Sequence, residues 1–480
     1  ETVSTDFDTS DRLYFDPLTL EHSAEVLLRE KAHGILLQFG GQTAINLALP
    51  LAGRLPHLEG MGLNLAMQGT TPDAVDEASD RERFEAFAER VGLRMPNGTT
   101  ATTSDGVREA VQEIGYPVLI RPSYVLGGRG MEILSNNRQL EAYMEEAFLS
   151  PDRPLLVDEY LGNAIELDVD AVCDGREVLI GAIMEHLEEA GIHSGDSTCF
   201  IPPQNVSKKV LAQVEDWTKK IGIQLGVKGC FNIQYAIRGE TLYVLEVNPR
   251  GSRTFPFVAK ATGVPLARIA ARLTMGEKLA DLDFPEPQTE AVCVKAPVFP
   301  FIKLRGLDPA PGPEMKSTGE VMGSHKRAAA AYLKARLATE IPVPTNGGVY
   351  ITVKNADKHD VIPLAQELEE MGFTIHATRG TAHVLRDSGG IDVQTCYRIT
   401  EGLTPDALDL MRQGKIQLII NTPRSTGGAV LDGNMMRRLA VELNIPFVTT
   451  MAGARMEVQA IAEAKEGMPE PRLLDIAILN

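Results

Sequence analysis

The sequence predicts a multidomain protein in which two α/β units flank a central α+β unit. Its length of 480 residues suits about three domains. Apolar strands and helices alternate near both ends of the chain, which is typical of parallel α/β sheets. Between about residues 80 and 290, strand-like segments follow one another with turns between them. That order favours a largely antiparallel sheet in an α+β domain.

Changes of pattern and two proline-rich stretches give the predicted boundaries. The first unit contains "AHGILLQFGGQTAINLALPLAG", which predicts an apolar strand, a Gly-Gly turn and a helix. The stretches "DPAPGPE" and "EIPVPTNGG" indicate a connector that also carries a basic helix. The predicted division is an α/β domain at 1–79, an α+β domain at 80–290, a connector at 291–346 and a small α/β domain at 347–480.

Charge and composition argue against several classes of partner. The chain has 47 basic and 65 acidic residues and a formal net charge of −18, which disfavours nucleic acid and anionic membrane surfaces. No apolar run reaches the ~18 residues that span a bilayer. Five cysteines without a CxxC pair favour a reduced compartment, so we expect a cytoplasmic protein. Because the chain begins at Glu1 rather than at methionine, we also expect a fragment.

The segment "TLYVLEVNPRGSRT" carries a candidate metal site. Glu246 and Asn248 are two residues apart, so they share one face of a strand. The turn "RGE" joins this strand to "CFNIQYAI", and antiparallel pairing then brings Gln234 beside Glu246. Mg²⁺ prefers such hard oxygen ligands and keeps positions open for substrate phosphates. Arg250 and Arg253 could stabilise a transferring phosphoryl group, and a strand end with polar caps is the open alternative.

The segment "LIRPSYVLGGRGMEIL" is a candidate phosphate loop. Arg121 ends an apolar strand, and Gly127, Gly128 and Gly130 follow in a short loop. Glycines allow backbone N–H groups to approach phosphate oxygens, while Arg121 and Arg129 add positive charge. An ordinary glycine hairpin explains the same pattern. The segment alone therefore leaves both interpretations open.

Two further segments could contact a nucleotide. In "VDEYLGNAIELDVD" an adenine ring could lie on the apolar residues around Leu161, and a carboxylate such as Glu159 or Glu166 could bind ribose hydroxyls. The polar glycine loop "EEAGIHSGDS" contains His193 and Ser194. Solvated strand-edge acids and a structural histidine are the simpler explanations of each segment. No nucleophile triad is indicated, and the signatures GxxxxGK[ST], HExxH and GxGxxG are absent.

The order of these motifs follows the ATP-grasp plan, in which two α+β subdomains hold ATP between their sheets. "QFGGQT", "DRERF", "RPSYVLGGR", "IMEHLEEAGIHSGDS" and "EVNPRGSRTFPFVAKATGVPLARIAAR" resemble the large chain of the carbamoyl-phosphate synthetase family, over its C-terminal half. The resemblance implies a partial pre-ATP-grasp α/β domain, an ATP-grasp domain and a C-terminal methylglyoxal-synthase-like α/β domain. It also implies ATP-dependent phosphorylation of carbamate to carbamoyl phosphate, for pyrimidine and arginine synthesis.

The resemblance also carries over site residues and cofactors. It implies ATP with Mg²⁺ or Mn²⁺, and K⁺ as a further cation. The implied metal ligands are Gln234, Glu246 and Asn248, and Arg253 is similar to the arginine that orients the phosphoacceptor, with Arg250 beside it. The implied nucleotide contacts are Arg121, Glu159, Leu161, Glu166, Gly191, Ile192, His193, Ser194 and Gln234.

In the C-terminal domain the resemblance implies a phosphate pocket for a nucleotide effector, UMP or IMP. Its positions fall on Lys358, Thr378, Thr381, Arg398 and Asn421. The family's ornithine site fits poorly. Glu188, Asp196 and Thr449 match, whereas Ala296 and Phe447 replace the expected glutamate and histidine.

The implied partners are the N-terminal half of the large chain, which makes carbamate, and a glutaminase small subunit, which supplies ammonia. The family's first glycine-rich strand and helix precede the start of this chain, which puts catalysis by the fragment alone in question. Two alternatives stay open. One is another ATP-grasp carboxylate–amine ligase, such as a biotin carboxylase or a purine-pathway ligase. The other is a nucleotide-sensing module without turnover, which would not need three metal ligands.

Overall fold

The structure is a computed structural model that describes residues 10–122, 130–146, 154–287, 291–303, 308–422 and 428–469. Its first unit contains a short parallel pair of strands flanked by helices, as the apolar run and Gly-Gly turn predict. The elements are α1 (Leu20–Glu30), β1 (Gly34–Ile35), α2 (Gly41–Ile45), α3 (Ala48–Gly60) and β2 (Ala66–Met67).

Two capped helices lead into a four-stranded antiparallel sheet. The Thr71 hydroxyl accepts the Ala74 N–H, and the Asp80 carboxylate accepts the Arg83 N–H, so each side chain begins a helix. The strands lie in the order β3-β6-β4-β5. The elements are α4 (Pro72–Ser79), α5 (Arg81–Val91), β3 (Gly98–Ala101), α6 (Ser104–Ile114), β4 (Val118–Pro122), β5 (Glu132–Leu134), α7 (Asn137–Glu146) and β6 (Leu155–Glu159).

A seven-stranded antiparallel sheet follows, in the order β11-β10-β7-β8-β9-β12-β13. Its last two strands lie in the segment that the sequence assigns to a connector, so this sheet continues beyond residue 290. The elements are β7 (Ile165–Asp174), β8 (Val178–Glu189), β9 (Cys199–Ile201), α8 (Lys208–Gln224), β10 (Lys228–Arg238), β11 (Thr241–Asn248), α9 (Phe255–Thr262), α10 (Leu266–Thr274), β12 (Val292–Val298), β13 (Gly319–His325) and α11 (Ala328–Ala338).

The C-terminal unit is a five-stranded parallel sheet in the order β16-β15-β14-β17-β18. Helices connect the strands, as the alternating pattern after residue 347 predicts. The elements are β14 (Gly348–Thr352), α12 (Ile362–Glu370), β15 (Thr374–Thr378), α13 (Arg379–Gly389), β16 (Val393–Cys396), α14 (Ala407–Arg412), β17 (Leu418–Asn421), α15 (Gly428–Glu442), β18 (Phe447–Val448) and α16 (Met451–Glu466). Within the described ranges, no helix is both long and apolar enough to cross a bilayer.

The seven-stranded sheet has one apolar face beside α8. On β10, Phe231, Ile233 and Tyr235 pack into the same buried cluster as Trp217 and Ile221 of α8. Because side chains alternate along a strand, the even-numbered residues of β10 point to the opposite face. There the sequence supplies the polar residues Asn232 and Gln234, between the buried Cys230 and Ala236. The fold therefore buries one side of this hairpin and leaves the other for polar chemistry.

Candidate functional site

The polar face of the seven-stranded sheet is the candidate functional site. It brings together side chains from four neighbouring strands, β8, β7, β10 and β11. Strand β7 contributes acids at every second position, and β10 and β11 contribute amides and one carboxylate. We define the polar face by Glu166, Asp168, Asp170, His186, Asn232, Gln234, Glu246 and Asn248.

The three proposed metal ligands lie together at one end of the polar face. Gln234 pairs with Glu246 across the β10–β11 hairpin, which confirms the predicted pairing. The Asn248 side-chain amide donates to Glu246 Oε1 at 2.8 Å. The Gln234 amide donates to Ser194 Oγ at 2.9 Å. Both amide nitrogens thus bind protein, which leaves oxygens of Gln234 and Glu246 to face the site.

This donor set fits a hard divalent cation. Carboxylate and amide oxygens are ligands that Mg²⁺ accepts. The three side chains carry only one formal negative charge, so substrate phosphates would supply the remaining negative charge around the cation. The part of the chain that the structure describes holds no group of three or more His, Cys, Asp or Glu side chains arranged for a metal. The described residues therefore contain no metal centre built mainly from cysteine thiolates or histidine imidazoles.

The two arginines after β11 lie in different environments. Arg250 is partly buried, donates to Asn248 Oδ1 at 3.2 Å and donates to Gln42 Oε1 at 2.8 Å. Burial lowers the pKa of Arg250 from its usual value. Arg253 is exposed, just before α9. Arg250 is therefore fixed against a proposed metal ligand, whereas Arg253 is open to a bound substrate.

The N-terminal unit supports this strand end through its "QFGGQT" segment. The buried Gln38 side chain donates to the carbonyls of Cys230 and Pro249 at 3.2 and 3.1 Å. The Gly251 N–H donates in turn to the Gln38 carbonyl at 2.9 Å. The sequence did not predict a role for Gln38 or Gln42, the two glutamines of this segment. The motif was visible, but nothing in it showed that its two amides reach residues about two hundred positions away.

Residues 190–198 join β8 to β9, and we name them the His193 loop. This loop contains the predicted residues Gly191, Ile192, His193 and Ser194, and its Ser194 contacts Gln234. Gly191 has φ +95, and a Cβ there would come within 2.7 Å of the Tyr160 ring, so the position requires glycine. The His193 Nδ1 accepts the Gly195 N–H at 3.0 Å. Burial lowers the pKa of His193. Because Nδ1 accepts a hydrogen bond, the ring hydrogen lies on Nε2, which can act as a donor.

The proposed adenine segment, 159–161, follows β6. The Glu159 carboxylate binds Arg238 at 2.8 Å and accepts from Asn97 at 3.2 Å, so it is already occupied by protein partners. Leu161 is buried, and no described residue accepts a hydrogen bond from its backbone N–H. Tyr160 Oη donates to the Ala190 carbonyl at 2.9 Å, which ties this segment to the His193 loop. Among the residues described, the segment thus offers a backbone donor without an acceptor, beside apolar surface.

The predicted phosphate loop is only partly described. Arg121 on β4 lies 3.5 Å from Asp158, which also pairs with Arg81 at 2.9 Å. Gly130 has φ +73, a conformation that glycine adopts without strain. The remaining residues of that prediction, Gly127, Gly128 and Arg129, lie outside the described residues.

The polar face also holds a cluster of buried ionisable side chains, of which only Glu166 was a site residue predicted from the sequence. His186 Nε2 lies 3.3 Å from Asp168, and its Nδ1 lies 3.9 Å from Glu166. Burial raises the pKa of Glu166 to about 7. Burial also raises the pKa of Asp170 to about 6, although the hydroxyls of Ser252 and Thr254 donate to it. Acids at alternate positions of "IELDVD" were the signal for this cluster.

The five predicted effector residues line one cavity of about 180 Å³ in the C-terminal unit. Thr378 ends β15 and is the N-cap of α13, so this part of the cavity lies at a strand-to-helix junction. A Cβ on Gly380 would lie 3.3 Å from Lys358 Nζ, which places this ammonium at the first turn of α13. The remaining predicted residues of this cavity are Thr381, Arg398 and Asn421.

The positions that resemble an ornithine site have other partners here. Glu188 accepts the Thr198 N–H at 2.6 Å, and Asp196 accepts the N–H groups of Lys316 and Ser317. Ala296 is buried beside Lys295, whose ammonium donates to the Ser194 carbonyl at 3.2 Å. The remaining two positions, Phe447 and Thr449, lie on and just after β18.

Comparisons with known proteins place the three units in known families. Residues 80–282 match the ATP-binding domain of the carbamoyl-phosphate synthase L chain, residues 1–77 match the carbamoyl phosphate synthase preATP-grasp domain, and residues 360–449 match the MGS-like domain. The carbamoyl phosphate synthase large chain of Methanosarcina acetivorans is 49% identical over 469 residues, which are 97% of this chain and 43% of that protein. The large chain of Methanothermobacter thermautotrophicus is 47% identical over 480 residues, 99% of this chain and 44% of that protein.

The chain thus spans less than half the length of these curated relatives. Among solved structures, the biotin carboxylase domain of Hydrogenobacter thermophilus 2-oxoglutarate carboxylase, in complex with MgADP, ADP and bicarbonate, superposes with a TM-score of 0.55. Its sequence identity is 18%, and the match covers 70% of this chain and 81% of that one. At this identity the likeness shows the fold alone.

Proposed function

The chain belongs to the carbamoyl phosphate synthase large-chain family, and we propose that it phosphorylates carbamate with MgATP as the C-terminal half of such a chain. A carbamate oxygen forms a bond to the γ-phosphorus of ATP, and the bond from that phosphorus to the β–γ bridging oxygen breaks. The products are carbamoyl phosphate and ADP. The division of the chain at residues 79, 290 and 346 remains a prediction.

The placement of Gln234, Glu246 and Asn248 carries the proposal. A strand end that needed only polar caps would not require a carboxylate directly opposite an amide, each with an oxygen turned to the same face. A bound Mg²⁺ or Mn²⁺ would neutralise phosphate charge at these residues. Arg250 holds Asn248 in place, and the exposed Arg253 is free to orient the carbamate.

The surrounding loops supply contacts for the nucleotide. The Leu161 N–H and the hydrophobic surface around it suit an adenine ring. The neutral His193 offers its Nε2 hydrogen to a phosphate or ribose oxygen, and Arg121 adds positive charge beside the phosphate loop. Glu166 suits a ribose hydroxyl better than Glu159 does, because Arg238 and Asn97 occupy the Glu159 carboxylate.

The cavity of the C-terminal unit suits a nucleoside monophosphate effector. The first turn of α13 presents unpaired backbone N–H groups, which favour an anion. Lys358 and Arg398 add positive charge, and the Thr378 and Thr381 hydroxyls add donors. UMP or IMP bound there would shift the affinity of the polar face for MgATP. Carbamate and ammonia would come from an N-terminal half and a glutaminase subunit, and carbamoyl phosphate would serve pyrimidine and arginine synthesis.

The reverse half-reaction tests the proposal on the 480-residue chain. ATP formed from MgADP and carbamoyl phosphate should be measurable by a coupled luciferase assay, and it should require divalent metal. A different ATP-grasp ligase would make no ATP from carbamoyl phosphate, and a nucleotide sensor would bind MgADP without turnover. Binding of MgADP without ATP formation, also after addition of a large-chain N-terminal half, would contradict the proposal.

A further inference from the structure

Residues 308–317 lie between the effector cavity and the His193 loop, and we name them the bridging segment. The segment contacts both sites through hydrogen bonds of its own. Lys316 fixes it internally, because its ammonium donates to the carbonyls of Asp308 and Ala310 at 3.3 and 2.6 Å. The two ends of the bridging segment are therefore held together.

On the cavity side, the bridging segment is bound by Arg437 of α15. Arg437 is buried, with 3% of its side chain exposed, and its Nε and Nη2 donate to the two carboxylate oxygens of Asp308 at 2.9 and 2.5 Å. Burial opposes ionisation of Asp308, but the hydrogen bonds from Arg437 hold its pKa below the usual value. A fork-to-fork pair of this kind fixes both orientation and distance.

The same guanidinium reaches the wall of the effector cavity. Its Nη1 donates to Asn421 Oδ1 at 2.5 Å, and Asn421 lines the cavity. A Cβ on Gly433, another lining residue, would lie 2.8 Å from Arg437 Nη1. One Arg437 side chain therefore touches the cavity wall and the bridging segment at once.

On the nucleotide side, the bridging segment holds the His193 loop. The His193 N–H donates to the Gly312 carbonyl at 2.9 Å. The Lys316 and Ser317 N–H groups donate to the two oxygens of Asp196 at 2.8 and 2.9 Å. Ser194 in this loop accepts from Gln234, so a displacement of the bridging segment reaches a proposed metal ligand.

We propose that Arg437 and Asp308 are positioning residues that transmit occupancy of the effector cavity to the His193 loop. The inference rests on the proposed function, because it concerns regulation of that site. A phosphate bound beside Asn421 competes for the Arg437 guanidinium, which binds Asn421 and Asp308 at once. The effector therefore has different affinities for two arrangements of the Arg437 guanidinium. This difference shifts the conformational equilibrium toward the arrangement that the effector binds more tightly.

The test compares two single-atom changes in the full chain. Asp308→Asn removes the charge that Arg437 binds and keeps an oxygen for the Ala310 N–H. The matched control is Glu463→Gln, which weakens the Arg327–Glu463 pair between the segment before α11 and α16. Both pairs join the C-terminal unit to the segments that precede it. Of the two, only Arg437–Asp308 touches the cavity wall.

Amide hydrogen exchange is the first readout. In the wild-type chain, UMP or IMP should change the exchange rates across the His193 loop and at Lys316 and Ser317. Asp308→Asn should abolish this change while the nucleotide still binds by calorimetry, and Glu463→Gln should preserve it. The inference is overturned if neither nucleotide alters exchange in the wild-type loop, if Asp308→Asn responds like the wild type, or if Glu463→Gln loses the response equally.

MgATP affinity is the second readout, and it separates this inference from the proposed function. Effector coupling of the usual size changes affinity by about 5- to 150-fold, and Asp308→Asn should bring this factor toward one. Coupling of wild-type size in Asp308→Asn overturns the inference. A wild-type chain that binds no MgATP contradicts the proposed function, while an effector-dependent exchange response that Asp308→Asn abolishes still supports the positioning role.

Discussion

Gln234 lies directly opposite Glu246 on adjacent antiparallel strands, and Asn248 donates to Glu246 from two residues further along. Tyr235 pairs with Val244, so a bulge at Leu245 shifts the register that the turn at Gly239 begins and brings Glu246 opposite Gln234. A shift of the pairing by one residue would turn each of these side chains to the apolar face beside α8. The proposed metal site therefore depends on the burial of Val244 and Val247 on that other face as much as on its own residues.

The first prediction concerns the single carboxylate of this set. Glu246→Gln should reduce MgADP-dependent ATP formation from carbamoyl phosphate by at least about 10²-fold, the usual loss when one key electrostatic group is removed. Glu240→Gln in the turn of the same hairpin is the control, because Glu240 is exposed and should leave activity unchanged. Near-normal activity of Glu246→Gln would mean that the metal is held elsewhere.

The hairpin shows how much of the site the sequence could predict. The short "RGE" turn predicts the hairpin, so an approach of Gln234 to Glu246 could be predicted. The pairing itself could not, because strict alternation in "TLYVLEVN" puts Glu246 on the same face as Val244, and a bulge at Leu245 moves it to the other face. The support that Gln38 and Gln42 give to residues 249–251 could not, because it depends on how two distant units pack. The order of strands in the seven-stranded sheet could not be predicted for the same reason, because it depends on how distant segments of the chain pack.

The second prediction concerns Glu166 and pH. Its pKa is about 7 in the folded protein and 4.5 in its ordinary state, because burial disfavours the anion. Between these values the folded chain holds a proton that the unfolded chain has released. Stability from this group is therefore lost as pH rises through that window. The charge of His186 opposes this rise in the pKa of Glu166, and the charge of Asp168 adds to it.

Glu166→Gln should remove this loss. From pH 4.5 to 8 the free energy of unfolding of the variant should rise relative to wild type by up to about 3 kcal/mol. Urea titration followed by the fluorescence of Trp217 measures it, since this single tryptophan lies in the core of the seven-stranded sheet. Glu240→Gln removes an exposed carboxylate and should show no such trend. A constant difference between Glu166→Gln and wild type would contradict the account.

The third prediction concerns the base. The Leu161 N–H has no acceptor among the described residues, and adenine N1 accepts a hydrogen bond whereas guanine N1 carries a hydrogen. An unpaired buried donor costs about 1–3 kcal/mol, so MgADP should bind about 10- to 100-fold more tightly than MgGDP. Inosine diphosphate is the control, because its N1 also carries a hydrogen. Calorimetry showing equal affinities would place the base elsewhere.

The fourth prediction concerns ornithine. Ala296 supplies a methyl group where the family resemblance leads one to expect a carboxylate, and the neighbouring Lys295 ammonium already donates to the Ser194 carbonyl. A ligand ammonium would gain no opposite charge from Ala296. Ornithine should therefore leave MgATP affinity unchanged at concentrations where a nucleoside monophosphate shifts it. A saturable ornithine effect would show that Glu188 and Asp196 suffice to bind it.

The C-terminal cavity combines features that the sequence predicts with contacts that it does not. The alternation of strands and helices predicts the parallel sheet, and Asn421 at the end of β17 follows the rule that ligands bind beyond strand ends. Nothing local in the sequence indicates that Arg437 joins Asn421 to Asp308, 129 residues earlier in the chain. Contacts of this kind arise from packing between units, which residue patterns along one strand or helix do not encode.

The last prediction concerns the first turn of α13. Thr381 is buried in the cavity wall, and Thr378 precedes the helix without using its hydroxyl as a cap. Removing both hydroxyls should therefore cost the helix little but remove two donors to a bound phosphate. Hydrogen bonds to charged groups contribute about 1.5–3 kcal/mol each, so Thr378→Ala with Thr381→Ala should weaken UMP or IMP binding by at least about tenfold. Calorimetry on the full chain measures this, and Thr374→Ala at the exposed start of β15 is the control. MgATP affinity without effector should be unchanged in both variants. If neither nucleotide binds the wild-type chain, or if the double variant binds as tightly, this cavity is not an effector site, and the charge of Lys358 and Arg398 serves another purpose.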